Sequence, residues 1–449
     1  MRKSTVLHQS FTDNNLKKIF LAQNRKGAFL EGSFFPNVKA YSHKLTRIKK
    51  KIKDHKSREP NPTTSLYTAQ LNRLYKIKDK LYEERDSVID VEMRKVSALI
   101  SHKQFSIQIS SGRLVDSKPT YKIPNDAQSY FAEKKLQLNI KNECNTSLSS
   151  RDHIVPSLSN VLSDKFPKIV IRTDIESFYE SIDHNILNNK VENSSLSTQS
   201  KKLIRKILQE YCNLSSTNKG LPRGIGVSSY LSELYMCEFD DKIRKIDGVY
   251  FYQRYVDDII IVISKPKACN VSNILNEVIE TAQTIKLMTK AAKTKTFDTF
   301  TVGNYNFEYL GYKFSKQDGH PIKIELSGNK LSKYRSKVDL SINSYNNSNK
   351  RDKDKRLLID RIRFLTGNTK LTNNKGGAFT GIYSSNKWVT HPSQLIGLDN
   401  YLNNKLNSIT DLTLKRRLSK LKFYDGFENK SFRNFSASRI GEITKVWKL

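Results

Sequence analysis

Two β-branched runs that each end on carboxylate set the tightest limits on how this chain can fold. In "FYQRYVDDIIIVIS" (251–264), Asp257 and Asp258 stand directly before an almost unbroken apolar run. In "KIVIRTDI" (168–175), a second strand-like run leads into Asp174. Carboxylates among apolar residues are costly unless something positive compensates them. A hairpin tip dipping into water would explain Asp257 and Asp258 but leaves Asp174 unexplained. Acids on neighbouring strands repel unless a divalent cation lies between them, and carboxylate oxygens suit Mg²⁺, which keeps waters and binds along with substrate phosphates. Two such ions, about 3.5–4 Å apart, can clamp the attacking and leaving oxygens of an in-line phosphoryl displacement.

The rest of the chain is strongly basic. Its 449 residues carry 78 Lys and Arg against 44 Asp and Glu, a formal charge of +34. A surplus of this size opposes compaction unless a polyanion offsets it, and nucleic acid is the expected partner because phosphate neutralisation releases counterions. The length suits two or three packed units. Cys144, Cys212, Cys237 and Cys269 are far apart with no CxxC, which argues against a zinc site or a disulfide framework and fits a reducing cytoplasm. No apolar run approaches the roughly 20 residues of a membrane span, and "MRKSTVLHQSFTDNN" has no apolar core of a signal peptide.

Along the chain, "SFTDNNLKKIFL" has cap-like Thr12 and Asp13 before an amphipathic stretch. "KLTRIKKKIKDHKSR" (44–58) spaces Leu45, Ile48 and Ile52 as on a helix and is dense enough in charge to track phosphates. "EPNPTTS" (59–65) reads as a break. A helix follows over about 66–100, with Leu74, Leu81 and Val88 at sevenfold spacing that points to packing. Residues 104–125 read as strand-like, and after 150 the pattern is mixed α/β. "NILNEVIETAQTI" is a helix, "FEYLGYKFS" a strand, and "INSYNNSNKRDKDKR" (342–356) a loop or linker between helices.

These motifs, in this order, resemble those of a reverse transcriptase. "RTDIESFYESIDH" resembles motif A, "KGLPRGIGVSSYLSELYM" motif B, "YQRYVDDIIIVI" the YxDD box of motif C, "IKLMTKAAKTK" motif D and "FEYLGYKF" motif E. The resemblance implies an α+β right-hand polymerase: a helical basic N-terminal extension over 1–100, fingers over 101–165, a palm with antiparallel sheet over 166–318, and a helical thumb and C-terminal domain over 325–449. It implies that Asp174 and Asp257 bind two Mg²⁺ ions, with Asp258 contributing less directly and the Ile175 carbonyl as a further ligand. Tyr179, five residues after Asp174, matches the steric gate that selects dNTPs, and its neighbour Phe178 is expected in the core. Tyr255 and Val256 would lie beside primer end and template. In motif B, Gly220, Pro222, Gly224 and Gly226 keep the backbone permissive where nucleotide and template approach. Lys293 matches the motif D lysine near the leaving pyrophosphate, and Leu310 and Gly311 the turn of the primer grip. Arg223 stands where many relatives have Gln, which puts primer or template handling in doubt, and Lys290 replaces the usual Asn. Arg151, in the loosely matching fingers segment "SSRDHIVPSLSNVL", would contact the triphosphate.

No endonuclease, integrase, protease or ribonuclease H signature accompanies these motifs. "RFLTGNTKL" offers Leu365-Thr366-Gly367, close to the V-T-G of retrons: an RNA contact, or a helix end stopped by glycine. The remainder resembles the bacterial defence-associated reverse transcriptases of the abortive-infection and unknown groups, and its C-terminal part the smaller enzyme of a two-polymerase antiphage system. That implies RNA-templated DNA synthesis in antiphage defence, with a noncoding RNA as template, dNTPs and DNA product as further partners, and a second reverse transcriptase beside it. Three other readings stay open: non-templated or protein-primed synthesis by the same fold, a retron- or maturase-like enzyme, and a non-catalytic RNA-binding scaffold.

Overall fold

The computed structural model describes residues 6–58, 65–115, 117–144, 150–164, 166–264, 271–299, 304–317, 320–371 and 378–448. Most of the "EPNPTTS" segment, along with Cys269, lies outside them. The chain divides into two compact units, each assembled from separate stretches: Met1–Leu148 with Glu176–Asp241 and Thr281–Met288, and Ser149–Ile175 with Lys242–Glu280 and Thr289–Leu449.

The first unit is mainly helical. Helices Pro36–Arg58 and Ser65–Ser101 pack against each other, and Asp13–Arg25 and Ala127–Cys144 pack against the second of these. Leu16, Phe20, Val38, Leu45, Ile89, Met93, Phe131 and Leu136 are buried, as expected when one apolar stripe per helix faces a common core. Ile48 is half-buried between the buried Leu45 and Ile52, and most of the lysines around them are exposed. Leu74, Leu81 and Val88 are half-buried, in keeping with packing. The ammonium of Lys17 bridges Asp86 at 2.8 Å and Asp90 at 2.7 Å, and Arg85 pairs with Glu31.

Residues 104–125 form less strand than their composition suggests. Among the described residues the only strands there are the two-residue β1 (Ser110–Ser111) and β2 (Tyr121–Lys122), with an isolated bridge between Val115 and Lys118. Gly112, Pro119 and Pro124 interrupt a longer ladder, and the Tyr121 N–H donates to the Arg223 carbonyl at 2.7 Å. Helices Thr198–Ser215 and Gly226–Lys245 supply further core, including Leu203, Ile207, Val227, Leu231 and Phe239. The hydroxyl of buried Tyr235 donates to the Ile285 carbonyl at 2.5 Å.

The second unit is built on an antiparallel sheet ordered β4-β5-β3-β6, from β3 (Lys168–Asp174), β4 (Val249–Tyr255), β5 (Asp258–Ser264) and β6 (Lys295–Asp298). Both faces of β3 and β5 are apolar, and Ile169, Val170, Ile171 and Ile259 to Ile263 are all buried. Helix Arg151–Ser163 joins one face through Ile154, Val155, Leu158 and Leu162, which share a core with Val170, Ile260 and Val262. The buried Lys168 ammonium ties the start of β3 to that helix, donating to the Val161 carbonyl at 2.6 Å and to the Asp164 carboxylate.

"FEYLGYKFS" is a hairpin, not one strand. β7 (Tyr305–Tyr309) and β8 (Tyr312–Lys316) flank Leu310 and Gly311, both at positive φ (+49° and +80°), and β9 (Lys323–Leu326) completes this second sheet. Positive φ at both central residues matches strand twist across a two-residue turn. Beyond it run helices Gly328–Asn346, Asp352–Thr366 and Ser393–Lys405. The expected linker over 342–356 shrinks to 347–351, because Ile342 and Tyr345 are buried on the first of these helices.

Leu365-Thr366-Gly367 closes a helix and is buried at Leu365 and Thr366. Gly367 is extended, at φ −126° and ψ −167°, and leads into β10 (Asn368–Lys370), which pairs with β11 (Phe379–Gly381). Fully buried Asn368 then organises the region: its amide donates to the Gly426 and Ser431 carbonyls, and its Oδ1 accepts from the N–H groups of Tyr383 and Ser384. At Gly426 any Cβ would run into the Thr366 carbonyl. The segment's observable role is therefore structural.

Candidate active site

Strand register sets the first relationship. β3 and β5 pair so that Asp174 stands opposite Asp258, and β4 and β5 pair with Tyr255 opposite Asp258. Val256 and Asp257 therefore form the whole turn of the β4–β5 hairpin. Val256 takes φ +61°. A β-branched residue is strongly disfavoured there, so the turn holds local strain. The Arg254 guanidinium donates to the Val256 carbonyl at 2.9 Å and so ties down the strained residue. The Ile175 N–H donates to the Asp257 carbonyl at 3.1 Å, joining the end of β3 to the turn. The Tyr309 hydroxyl donates to the Asp258 carbonyl at 3.2 Å.

The three acids have different surroundings. Asp174 is 4% exposed, its backbone carbonyl accepts from the Lys290 N–H at 2.7 Å, and its Oδ2 lies 2.7 Å from the Lys293 ammonium. Asp258 lies 3.4 Å from the Arg172 guanidinium. Asp257 has its pKa raised, first by burial and then by the negative charges of Asp174 and Asp258, with Lys293 offsetting part of the rise. An acid made costly by burial and by like charge is the group a cation would relieve.

Arg151, Tyr255, Leu310 and Gly311, all singled out in the sequence, line one cleft of about 330 Å³ together with Asp258. The Arg151 guanidinium lies 5.2 Å from the centre of the Tyr255 ring, within cation–π range. Arg172 and Lys330 line the same cleft and were missed. Arg172 could have been found: it lies two residues before Asp174 on one strand and so faces the same side. Lys330 enters from a helix distant in sequence, and no local signal marks it. Burial, followed by the charge of Arg151, lowers its pKa to about 8.

Tyr179, Arg223 and Gly224 belong to the first unit. Tyr179 lies on a short helix, Phe178–Ser181, and Phe178 is buried as expected. The Tyr179 carbonyl accepts from the Leu221 N–H at 2.7 Å, which joins motif A backbone to motif B backbone. Arg223 makes two hydrogen bonds to the Glu180 carboxylate, at 2.8 and 3.0 Å, and its guanidinium lies 5.3 Å from the Tyr179 ring centre. Gly224, at φ +92°, sits where a Cβ would press on the Tyr121 carbonyl. Glu180 was missed, although an arginine in motif B called for a counter-charge.

The model of the family described as "Reverse transcriptase (RNA-dependent DNA polymerase)" matches residues 87–314, just over half of the chain. The chain belongs to the reverse transcriptase family. It is by class an RNA-directed DNA polymerase, with the α+β right-hand polymerase fold. Among solved structures it is similar to apo telomerase from Candida tropicalis, with 11% identity, a TM-score of 0.37, and coverage of 99% of this chain and 84% of the other. It is also similar to telomerase from Candida albicans in complex with a fragment of telomeric RNA, with 10% identity, a TM-score of 0.37, and coverage of 79% and 66%. No curated protein matches the chain.

Reverse transcriptases are metal-dependent polymerases. The donors here fit a hard divalent cation: carboxylate oxygens, one on an acid disfavoured in its charged form, another already matched by a lysine ammonium. Among the described residues no three His, Cys, Asp or Glu side chains form a metal cluster. Among the described residues no helix is long and apolar enough to cross a membrane.

Proposed function

We propose that this reverse transcriptase copies an RNA template into DNA in the cytoplasm, that its template is an associated noncoding RNA, and that it serves antiphage defence, with a second reverse transcriptase as partner. One observation carries the catalytic part: the register that sets Asp174 opposite Asp258, with Asp257 next to Asp258 in the β4–β5 turn. The defence role rests on the motif resemblance alone, and the RNA partner on that resemblance together with the charge of +34.

In this reading Asp174 and Asp257 hold two Mg²⁺ ions, with the Ile175 carbonyl as a further ligand, while Asp258 tunes the site through its pair with Arg172. The ions, when bound, supply positive charge to the attacking and leaving oxygens. Arg151 contacts the triphosphate. Lys293, held on Asp174 in the free enzyme, donates its proton toward the departing pyrophosphate. Tyr179 leaves no room for a 2′-hydroxyl and so selects dNTPs, and Gly224 lets the backbone approach the nucleotide. Tyr255, Val256 and the Leu310–Gly311 turn guide the primer end, and Arg223 belongs to the primer or template side. The fingers, palm and thumb take the ranges given above, and the lysines of 44–58 hold RNA phosphates.

The test is synthesis by the purified protein with the RNA it retains, supplied with Mg²⁺ and each dNTP in turn. Product whose sequence mirrors that RNA, and which disappears after prior ribonuclease treatment, supports the reading. Product that survives removal of the RNA refutes templating.

A further inference from the structure

Arg223 occupies a motif B position where a glutamine is usual, and its surroundings give it a task that glutamine could not perform. Its guanidinium does two things at once. One edge binds both oxygens of Glu180, at 2.8 and 3.0 Å, and the cation lies 5.3 Å from the Tyr179 ring centre. A planar fork with a fixed positive charge can combine bidentate pairing with an aromatic contact, whereas an amide offers neither the charge nor the fork.

Other contacts make the arrangement rigid. Lys118 reaches the same carboxylate at 3.2 Å, so Glu180 is held by two cations. Burial opposes ionisation of Glu180, but the hydrogen bonds from Arg223 and Lys118 prevail and hold its pKa below the usual carboxylate range. The Arg223 carbonyl accepts from the Tyr121 N–H at 2.7 Å, and the Tyr179 carbonyl from the Leu221 N–H at 2.7 Å, so both ends of the clamp are fixed through backbone. Phe178 meets the Tyr179 ring edge-on, with centroids 5.5 Å apart. The ring therefore has an aromatic neighbour on one side and a cation on another.

We infer that Arg223 and Glu180 form a clamp that fixes the Tyr179 ring and thereby sets how strictly this enzyme rejects ribonucleotides. Arg223 and Glu180 are positioning residues that act through Tyr179. The inference deepens the proposed function and rests on its reading of Tyr179 as the gate. A flat ring excludes a 2′-hydroxyl only while it holds its place: a ring free to swing admits the extra oxygen.

The readout is the ratio of kcat/KM for a dNTP to that for the matching rNTP, measured on one primer and RNA template. Because both substrates meet the same enzyme preparation, a general loss of activity cancels. Tyr179→Val tests the gate, and Arg223→Gln and the near-isosteric Glu180→Gln test the clamp. The expected result is a ratio lowered by about tenfold or more in all three, the scale of one lost specificity contact. The swap Arg223→Glu with Glu180→Arg should recover part of the ratio lost by Arg223→Gln. A ratio that falls in Tyr179→Val but stays within about twofold of wild type in both clamp variants overturns the clamp and leaves the gate standing. A ratio unmoved by Tyr179→Val overturns the gate reading, and the clamp with it.

Discussion

The ammonium of Lys293 stands 2.7 Å from Oδ2 of Asp174, the acid at the end of the central strand. That contact places a positive charge where a metal ion would compete for the same oxygen. Under the proposed function a bound cation would take that oxygen from Lys293 and leave its ammonium to face the leaving pyrophosphate. Lys293→Gln should lower kcat by about 10²-fold, the scale of a lost general acid. It should also lower the Mg²⁺ concentration at half-maximal rate, because a competitor for Asp174 is gone. Single-nucleotide extension titrated with Mg²⁺ measures both. A variant with unchanged kcat would remove Lys293 from the chemistry.

Asp257 carries a cost to the fold. Its pKa is raised by burial and by its acidic neighbours. A carboxyl with a raised folded-state pKa contributes stability fully below the unfolded value and loses it as pH rises through the folded one. At neutral pH the ionised side chain therefore destabilises the free enzyme. Asp257→Asn should raise the melting temperature at pH 7, with the gain fading toward pH 4, while polymerisation is lost. Mg²⁺ should raise the melting temperature of wild type more than that of the variant. Thermal melts at the two pH values, with and without the ion, decide this.

The strain at Val256 is a second such cost. Its φ of +61° suits glycine, and such a conformation costs of the order of 1–3 kcal/mol in a residue with a side chain. Val256→Gly should stabilise the fold by about 1 kcal/mol, after allowance for the greater freedom of glycine in the unfolded chain. It should also slow extension, because the turn carrying Asp257 is less firmly held. Denaturant melts paired with extension rates would test both halves.

Lys330 gives the cleft a pH dependence. With its pKa lowered to about 8, it loses charge at a pH where other lysines keep theirs. The unfolded chain binds more protons than the folded one between about 8 and the ordinary lysine value, so this group makes stability rise with pH in that window. Binding has the opposite trend: affinity for a primer–template should fall between pH 7 and pH 9. Lys330→Arg, which stays charged, should flatten that fall, and fluorescence anisotropy across the range would show it.

What the sequence disclosed followed from local regularity. Near-continuous β-branched runs with acids at one end marked β3 and β5, and period-3.6 patterns marked the long N-terminal helices. Asp174, Asp257, Asp258, Tyr179 and the Leu310–Gly311 turn stood out because each belongs to a contiguous motif. Three features were hidden from composition alone. The hairpin in "FEYLGYKFS" has an apolar residue at positive φ, so composition read one strand and only the motif resemblance marked the turn. Lys330 meets the cleft across a long stretch of sequence. The Arg223–Glu180 pair joins two motifs 43 residues apart, and only folding brings them together. Residues 104–125 misled in the other direction, because strand-like composition does not make a ladder where prolines and glycine interrupt it.

The most direct test of the central claim is extension of a DNA primer on a defined RNA template with Mg²⁺ and dNTPs, comparing wild type with Asp174→Asn and Asp257→Asn. The expected result is template-length DNA from wild type and a loss of at least about 10³-fold in each variant, since removing a group that holds the transition-state charge costs on that scale. Equal synthesis by either variant, or wild-type synthesis that proceeds without the RNA, would contradict the account.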